Sequence, residues 1–212
     1  MARTSGLEHR IRWERRALAF GASTPLLYFG TQAIAARGTP GYSVIRQPAS
    51  DLGIAGSAMA ALFNIGALCT GAACLGAAFG MYTALRRRAT GTGRTTLACL
   101  AVASCGVGAI AAGWFPLPDA RHGGGAFGAG IFAVPLLLAL CAGSESDTLR
   151  RRYFRVNLAL FIVSGLCLSG ATGLDANRYA GLFQRLLAVT VFVPVGVLCA
   201  RLWRQSSVRP QR

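Results

Sequence analysis

Residues 58–85 read AMAALFNIGALCTGAACLGAAFGMYTAL, and no charged side chain interrupts them before Arg86, Arg87 and Arg88 close the run. About 18 such residues suffice for a helix to cross the hydrocarbon core of a bilayer. A soluble helix of this length would carry a polar face, and this run has none. Four further blocks read the same way, residues 17–36, 95–115, 124–143 and 156–173, and a fifth at 182–202 carries charge only near its ends, at Arg185 and Arg201. The block at 58–85 is longer than a bilayer needs, so it is expected to tilt or to extend past one surface. No gap between blocks is long enough to hold a soluble domain. The expected fold is therefore all-α: a polytopic membrane protein built as a six-transmembrane-helix bundle. Residues 1–16 form a basic N-terminal segment, 17–204 the transmembrane domain and 205–212 a basic tail.

The charges set the orientation. All 22 basic residues are arginine, and the formal net charge is +15. Such a charge first suggests a nucleic-acid partner. The arginines, however, sit in clusters at alternate gaps between apolar blocks, which is the pattern of membrane topology. Seventeen of them fall in the N-terminal segment, the second gap (Arg86, Arg87, Arg88, Arg94), the fourth gap (Arg150, Arg151, Arg152, Arg155) and the C-terminal end. The opposite side holds only Arg37, Arg46, Arg121, Arg178 and Arg185. The positive-inside rule then places both termini in the cytoplasm of a plasma-membrane protein. It also leaves membrane lipids, not nucleic acid, as the expected partner. The absence of lysine points to a high-GC bacterial genome. The basic N-terminus and Ala33-Ile34-Ala35 resemble a cleavable signal peptide, but the first block exceeds a usual h-region and reads as a retained helix.

Inside the blocks, residue types speak for packing. All seven cysteines lie in apolar runs without Cys-x-x-Cys spacing or a nearby histidine, so they read as small apolar side chains. Gly76 and Gly80, Gly124 and Gly128, and Gly165, Ser169 and Gly173 repeat every four residues, a spacing that lets membrane helices approach closely. A homodimer contact through such a face is possible. Trp13, Trp114 and Trp203 stand near block ends, as interfacial anchors do.

Chemistry is expected on the outer side. Each of its three loops carries one aspartate: Asp51, Asp119 and Asp175. In a compact bundle these loops converge over the same helix ends, so Asp51, His122 and Arg185 are expected close together, with Asp119 and Asp175 nearby. Ser50 and Gln184 complete the candidate polar site. Arg185 lies about a turn inside the last block, where a charge is costly unless it snorkels or pairs. Asp51 is the expected counter-charge. Each aspartate also stands just before a helix, where it would serve as a cap, and His122 reads more readily as an interfacial hydrogen-bonding residue than as a site residue. Two histidines are too few for a catalytic zinc site, and no phosphate-binding glycine loop appears. No metal or cofactor is expected.

Four motifs together resemble a bacterial and archaeal membrane family catalogued as domain of unknown function 998. They are Tyr42-Ser43 leading to Ser50-Asp51-Leu52-Gly53; Leu62-Phe63-Asn64; Trp114-Phe115-Pro116 followed by His122; and Gly181-Leu182-Phe183-Gln184-Arg185. The likeness covers about residues 17–204. The family is more distantly similar to the Frag/DRAM/Sfk membrane proteins, which are linked to lipid remodelling, lipid asymmetry and autophagy. The resemblance implies a six-helix fold and a lipid-related role, and it assigns no reaction. The leading expectation is a non-catalytic or weakly catalytic protein that binds or handles a lipid or other amphiphile at the outer polar cluster. The alternatives are an enzyme acting on a lipid or polyprenyl substrate through the outer carboxylates and His122, and an accessory subunit or small transporter. The absence of a mid-span acid counts against proton-coupled transport.

Overall fold

A computed structural model describes residues 2–87, 93–143 and 147–206. Arg88, Arg209 and Arg212 of the expected basic clusters lie outside the described residues. The described chain is helical, with no strand among the described residues: α1 (Ala2–Ala22), α2 (Thr24–Arg37), α3 (Ala60–Arg87), α4 (Gly93–Trp114), α5 (Val134–Gly143), α6 (Thr148–Leu168) and α7 (Ala176–Gln205). Short 3₁₀ segments span Ala49–Gly53 and His122–Phe132.

Four stretches are long and apolar enough to cross a membrane: Ala60–Arg87, Gly93–Trp114, His122–Cys141 and Ala176–Gln205. Their length and composition are those of a membrane protein. The other two apolar blocks are helical but depart from the simple expectation. The first is divided between α1 and α2, with the junction at Ser23 and Pro25 in the first turn of α2. Proline lacks an N–H, so it starts a helix more readily than it continues one. The block at 156–173 belongs to a helix that begins earlier, among Arg150, Arg151 and Arg152, and ends at Leu168. Gly170 and Gly173 take positive φ values of 79° and 74° in the turn that follows. Gly165, Ser169 and Gly173 therefore do not line one helical face.

The block at 124–143 also differs at its start. Gly123, Gly124 and Gly125 all have positive φ, so residue 124 opens no α-helix. The run serves a close approach instead: a Cβ on Gly108 of α4 would stand 3.0 Å from both the Gly128 Cα and the Gly123 carbonyl oxygen. Gly76 and Gly80 do form a packing face, on α3 against α1; a Cβ on Gly80 would lie 2.9 Å from the Leu18 amide nitrogen. The core between α1, α3, α4 and α7 is built from Leu18, Ala77, Met81, Val102, Val191 and Val195, all nearly inaccessible to solvent.

Three contacts gather arginine-rich segments at one end of the bundle. Arg87 of α3 pairs with Glu14 of α1 at 2.7 Å, Arg201 of α7 approaches Asp147 at 4.0 Å, and Arg15 stacks on Trp203 at 4.9 Å. The opposite end is closed by the loop between α2 and α3 and the start of α7.

Candidate functional site: the loop gripped by Arg185

The loop after α2 is held in shape by its own short-range bonds. The Gln47 side-chain oxygen accepts from the Ser43 amide at 2.8 Å, and the Gln47 amide donates to the Ser43 carbonyl at 2.8 Å. Together they bend residues 43–47 so that successive carbonyls face α7. The Leu182 amide donates to the Ile45 carbonyl at 2.9 Å. It is free to do so because Tyr179, with φ −122° and ψ 15°, breaks the first turns of α7. The Gln184 side-chain oxygen accepts from the Ala49 amide at 2.6 Å.

Arg185 is the centre of this junction. Its Nη1 donates to the carbonyls of Val44 at 2.8 Å, Gln47 at 3.1 Å and Gly181 at 2.9 Å, and its Nη2 to the Tyr42 hydroxyl at 2.7 Å. Tyr42 in turn donates toward the carbonyls of Pro48 at 2.8 Å and Gln47 at 3.1 Å. Burial raises the Tyr42 pKa above its ordinary value, and the bond from Arg185 only partly opposes this. The phenol therefore stays protonated and keeps donating. Gly181 must be glycine here: a Cβ would stand 2.6 Å from the Val44 carbonyl oxygen and 2.8 Å from Nη1.

Asp51 is not the partner of Arg185. The two flank Tyr42, whose hydroxyl feels both charges, but no ion pair joins them among the described residues. The reason is geometric. Leu52, completely buried, anchors the 3₁₀ turn, and Gly53 packs where a Cβ would stand 2.8 Å from the Phe63 ring. That anchoring turns Asp51 into an open groove of about 410 Å³, which it lines with Tyr42, Gln47 and Ser57. Ser50 has no side-chain hydrogen bond among the described residues.

The remaining expected members are occupied locally. Asp119 binds Arg121 through its amide at 2.8 Å and its guanidinium at 2.9 and 2.6 Å. These bonds hold the Asp119 carboxyl at a pKa of about 2. Arg121 lies over the Phe115 ring at 3.8 Å. His122 Nδ1 is 3.0 Å from the Phe115 carbonyl; a carbonyl only accepts, so Nδ1 carries the proton. Asp175 caps α7, accepting from the amides of Asn177 at 3.0 Å and Arg178 at 3.1 Å. The expected single cluster thus divides into a gripped loop with Arg185, Gln184 and Asp51, a self-contained turn with Asp119 and His122, and a helix cap at Asp175.

Beneath the loop lie polar atoms without partners. Gln32 is 4% exposed, and neither atom of its amide is hydrogen-bonded. Tyr28 lies beside Gln32, close enough to interact but outside hydrogen-bond geometry. The Asn64 side chain donates to the Gly53 carbonyl at 3.0 Å, but its Oδ1 and the Ser57 hydroxyl are buried without partners. Tyr42 and Tyr28 were not foreseeable as members of this region from residue type alone. Gln32 and Asn64 stand out in the sequence as the clearest polar residues inside apolar blocks.

A family model described as a protein of unknown function, DUF998, matches residues 22–201. No curated protein and no solved structure matches the chain.

Proposed function

Because the chain belongs to DUF998, a family of proteins of unknown function, its own site must supply the reading, and we propose that it binds the anionic headgroup of an amphiphile over Arg185. One observation carries this. The Arg185 guanidinium sits at the inner edge of an apolar helix, held by carbonyls and a phenol, with no carboxylate partner among the described residues. Carbonyl dipoles orient a guanidinium without cancelling its charge. A cation left so in a membrane protein is costly without a counter-charge, and the phosphate or carboxylate of an amphiphile supplies one in bidentate geometry. The unpaired polar atoms of Gln32, Ser57 and Asn64 under the same loop support a polar headgroup region there.

The proposal includes six membrane crossings, both termini in the cytoplasm, and the Arg185 end at the outer face of the plasma membrane, as arginine counting predicts. Residues 17–204 then act as one membrane domain. The binding reading is favoured over catalysis because the Asp119 carboxylate is taken up by Arg121 and His122 Nδ1 by the Phe115 carbonyl. The test compares lipids retained by purified wild type and by Arg185→Gln, using native mass spectrometry. Wild type should keep an acidic lipid that the variant loses. Equal retention of acidic lipid by both would sink the proposal. Arg178→Gln, about two helical turns away and with its guanidinium over the Tyr179 ring at 5.7 Å, serves as the charge control.

A further inference from the structure

The opposite end of the bundle holds a second cleft, between α1 and α3. The two helices touch closely where Gly21 meets Ala77 and where Leu18 meets Gly80; a Cβ on Gly21 would lie 2.7 Å from the Ala77 Cα. Toward the arginine-rich end they part, and a cleft of about 730 Å³ opens between them. Its wall is aromatic: Trp13, Phe79 and Tyr82 are between 40% and 54% exposed. The Trp13 indole is fixed by donating to His9 Nε2 at 2.8 Å. The exposed Arg10, Arg86 and Arg87 line it together with the buried Glu14.

Glu14 settles which arginines are available. It is buried, and both its oxygens are taken by Arg87, at 2.7 Å from Nη2 and 3.2 Å from Nε. Arg87 is thereby neutralised. Neither Arg10 nor Arg86 has a carboxylate partner among the described residues, and Arg86 only leans over the Tyr82 ring at 6.0 Å. The cleft therefore combines an exposed aromatic wall with two exposed, uncompensated guanidinium groups.

We infer that this cleft seats an anionic phospholipid, its acyl chain against Trp13, Phe79 and Tyr82 and its headgroup phosphate between Arg10 and Arg86. The inference is independent of the Arg185 site, which lies at the other end of the bundle. Charge complementarity selects the occupant. Anionic lipids are attracted to juxtamembrane arginines, and aromatic side chains favour the level of the headgroups. A zwitterionic lipid would bring its own cation toward Arg10 and Arg86 and gain less. An acyl chain also gives the exposed wall an apolar cover that a soluble anion lacks.

The test uses the full chain with Trp114→Phe and Trp203→Phe, which leaves Trp13 as the lone tryptophan, reconstituted in phosphatidylcholine vesicles. Brominated phosphatidylglycerol should quench Trp13 with a relative affinity about thirtyfold above that of brominated phosphatidylcholine, as the attraction of two arginines for a lipid of net negative charge would give. Adding Arg10→Gln and Arg86→Gln should remove the preference. Adding Arg151→Gln and Arg152→Gln, an equal loss of charge on α6, should leave it intact. Equal quenching by the two lipids in the parent overturns the inference, and so does an equal loss of preference with the α6 pair. The Arg10 and Arg86 changes break no ion pair among the described residues, and an unchanged far-UV spectrum verifies the fold.

Discussion

Tyr42 and Arg185 are joined at 2.7 Å, phenol oxygen to guanidinium Nη2, across 143 positions of sequence. The phenol passes the interaction on to the carbonyls of Gln47 and Pro48. Tyr42→Phe should therefore cost about 1–3 kcal/mol, because it leaves a guanidinium donor of Arg185 without its acceptor and takes one of two hydrogen bonds from each of the Gln47 and Pro48 carbonyls. Arg185→Gln should cost more, and the double variant less than the sum. Val44→Ala should be close to neutral, since the grip is on a backbone oxygen. Thermal unfolding of the four proteins in one detergent checks the order. Additive losses for Tyr42 and Arg185 would show the two act separately.

Glu14 and Arg87 should be unequal partners. Glu14 is 4% exposed and Arg87 37%. Arg87→Gln strands a buried carboxylate; breaking a fully buried pair typically costs about 3–5 kcal/mol, and the exposure of Arg87 places this pair below that range. Glu14→Gln strands a guanidinium that can still reach water, so its cost should be smaller. The double variant should recover part of the Arg87→Gln loss. Denaturation midpoints measured side by side give the comparison; a larger effect from Glu14→Gln would contradict the burial argument.

Asp119 should titrate low. Its carboxyl is held near pKa 2 by the bonds from the Arg121 side chain and amide. A folded pKa below the unfolded one means that the interaction supports the fold above the ordinary carboxylate pKa, about 3.9. The support fades as pH falls from there toward 2. Carboxyl-carbon NMR should find the Asp119 midpoint well below the ordinary carboxylate value. Arg121→Gln should raise it toward the ordinary value. An unmoved midpoint would mean that the Arg121 guanidinium does not form this pair in solution.

Topology makes the fourth prediction. Fused after Arg204, a reporter active only in the cytoplasm should work, and one active only outside should work when inserted at Arg46. An exported C-terminus would remove the six-crossing arrangement, and with it the outer placement of Arg185.

The apolar blocks were legible because their charges fall only at the ends, which is why α3 and α4 coincide closely with the blocks at 58–85 and 95–115, while α7 contains the block at 182–202 and starts six residues before it. The breaks were harder to read. Pro25 does mark the α1–α2 junction, but within an unbroken apolar run it reads as a tolerated helix residue. Three glycines at 123–125 fit a close-packed helix as well as a left-handed turn. The need of Arg185 for partners was legible from its depth; their identity was not. Backbone carbonyls are present at every residue, so nothing in the sequence singles out those of Val44 and Gln47. Only the turn at Ser43–Gln47 and the kink at Tyr179 aim them. Asp51 stood out because a carboxylate is rare in this chain, and rarity is no guide to which acceptor lies nearest.

The grip on the loop between α2 and α3 falls on main-chain oxygens and on Gln184, while the side chains of Val44, Ile45 and Arg46 remain exposed. A clasp of that kind is blind to what those three positions carry. Residues 44–46 form an interchangeable fingertip on a fixed knuckle: under the headgroup-binding proposal, their chemistry can be rewritten to suit a different headgroup while Tyr42, Gly181 and Arg185 keep the loop in place. Engineering or natural drift of selectivity has its freest ground there, and its least free ground at Gly181, where a single methyl group would push the loop away.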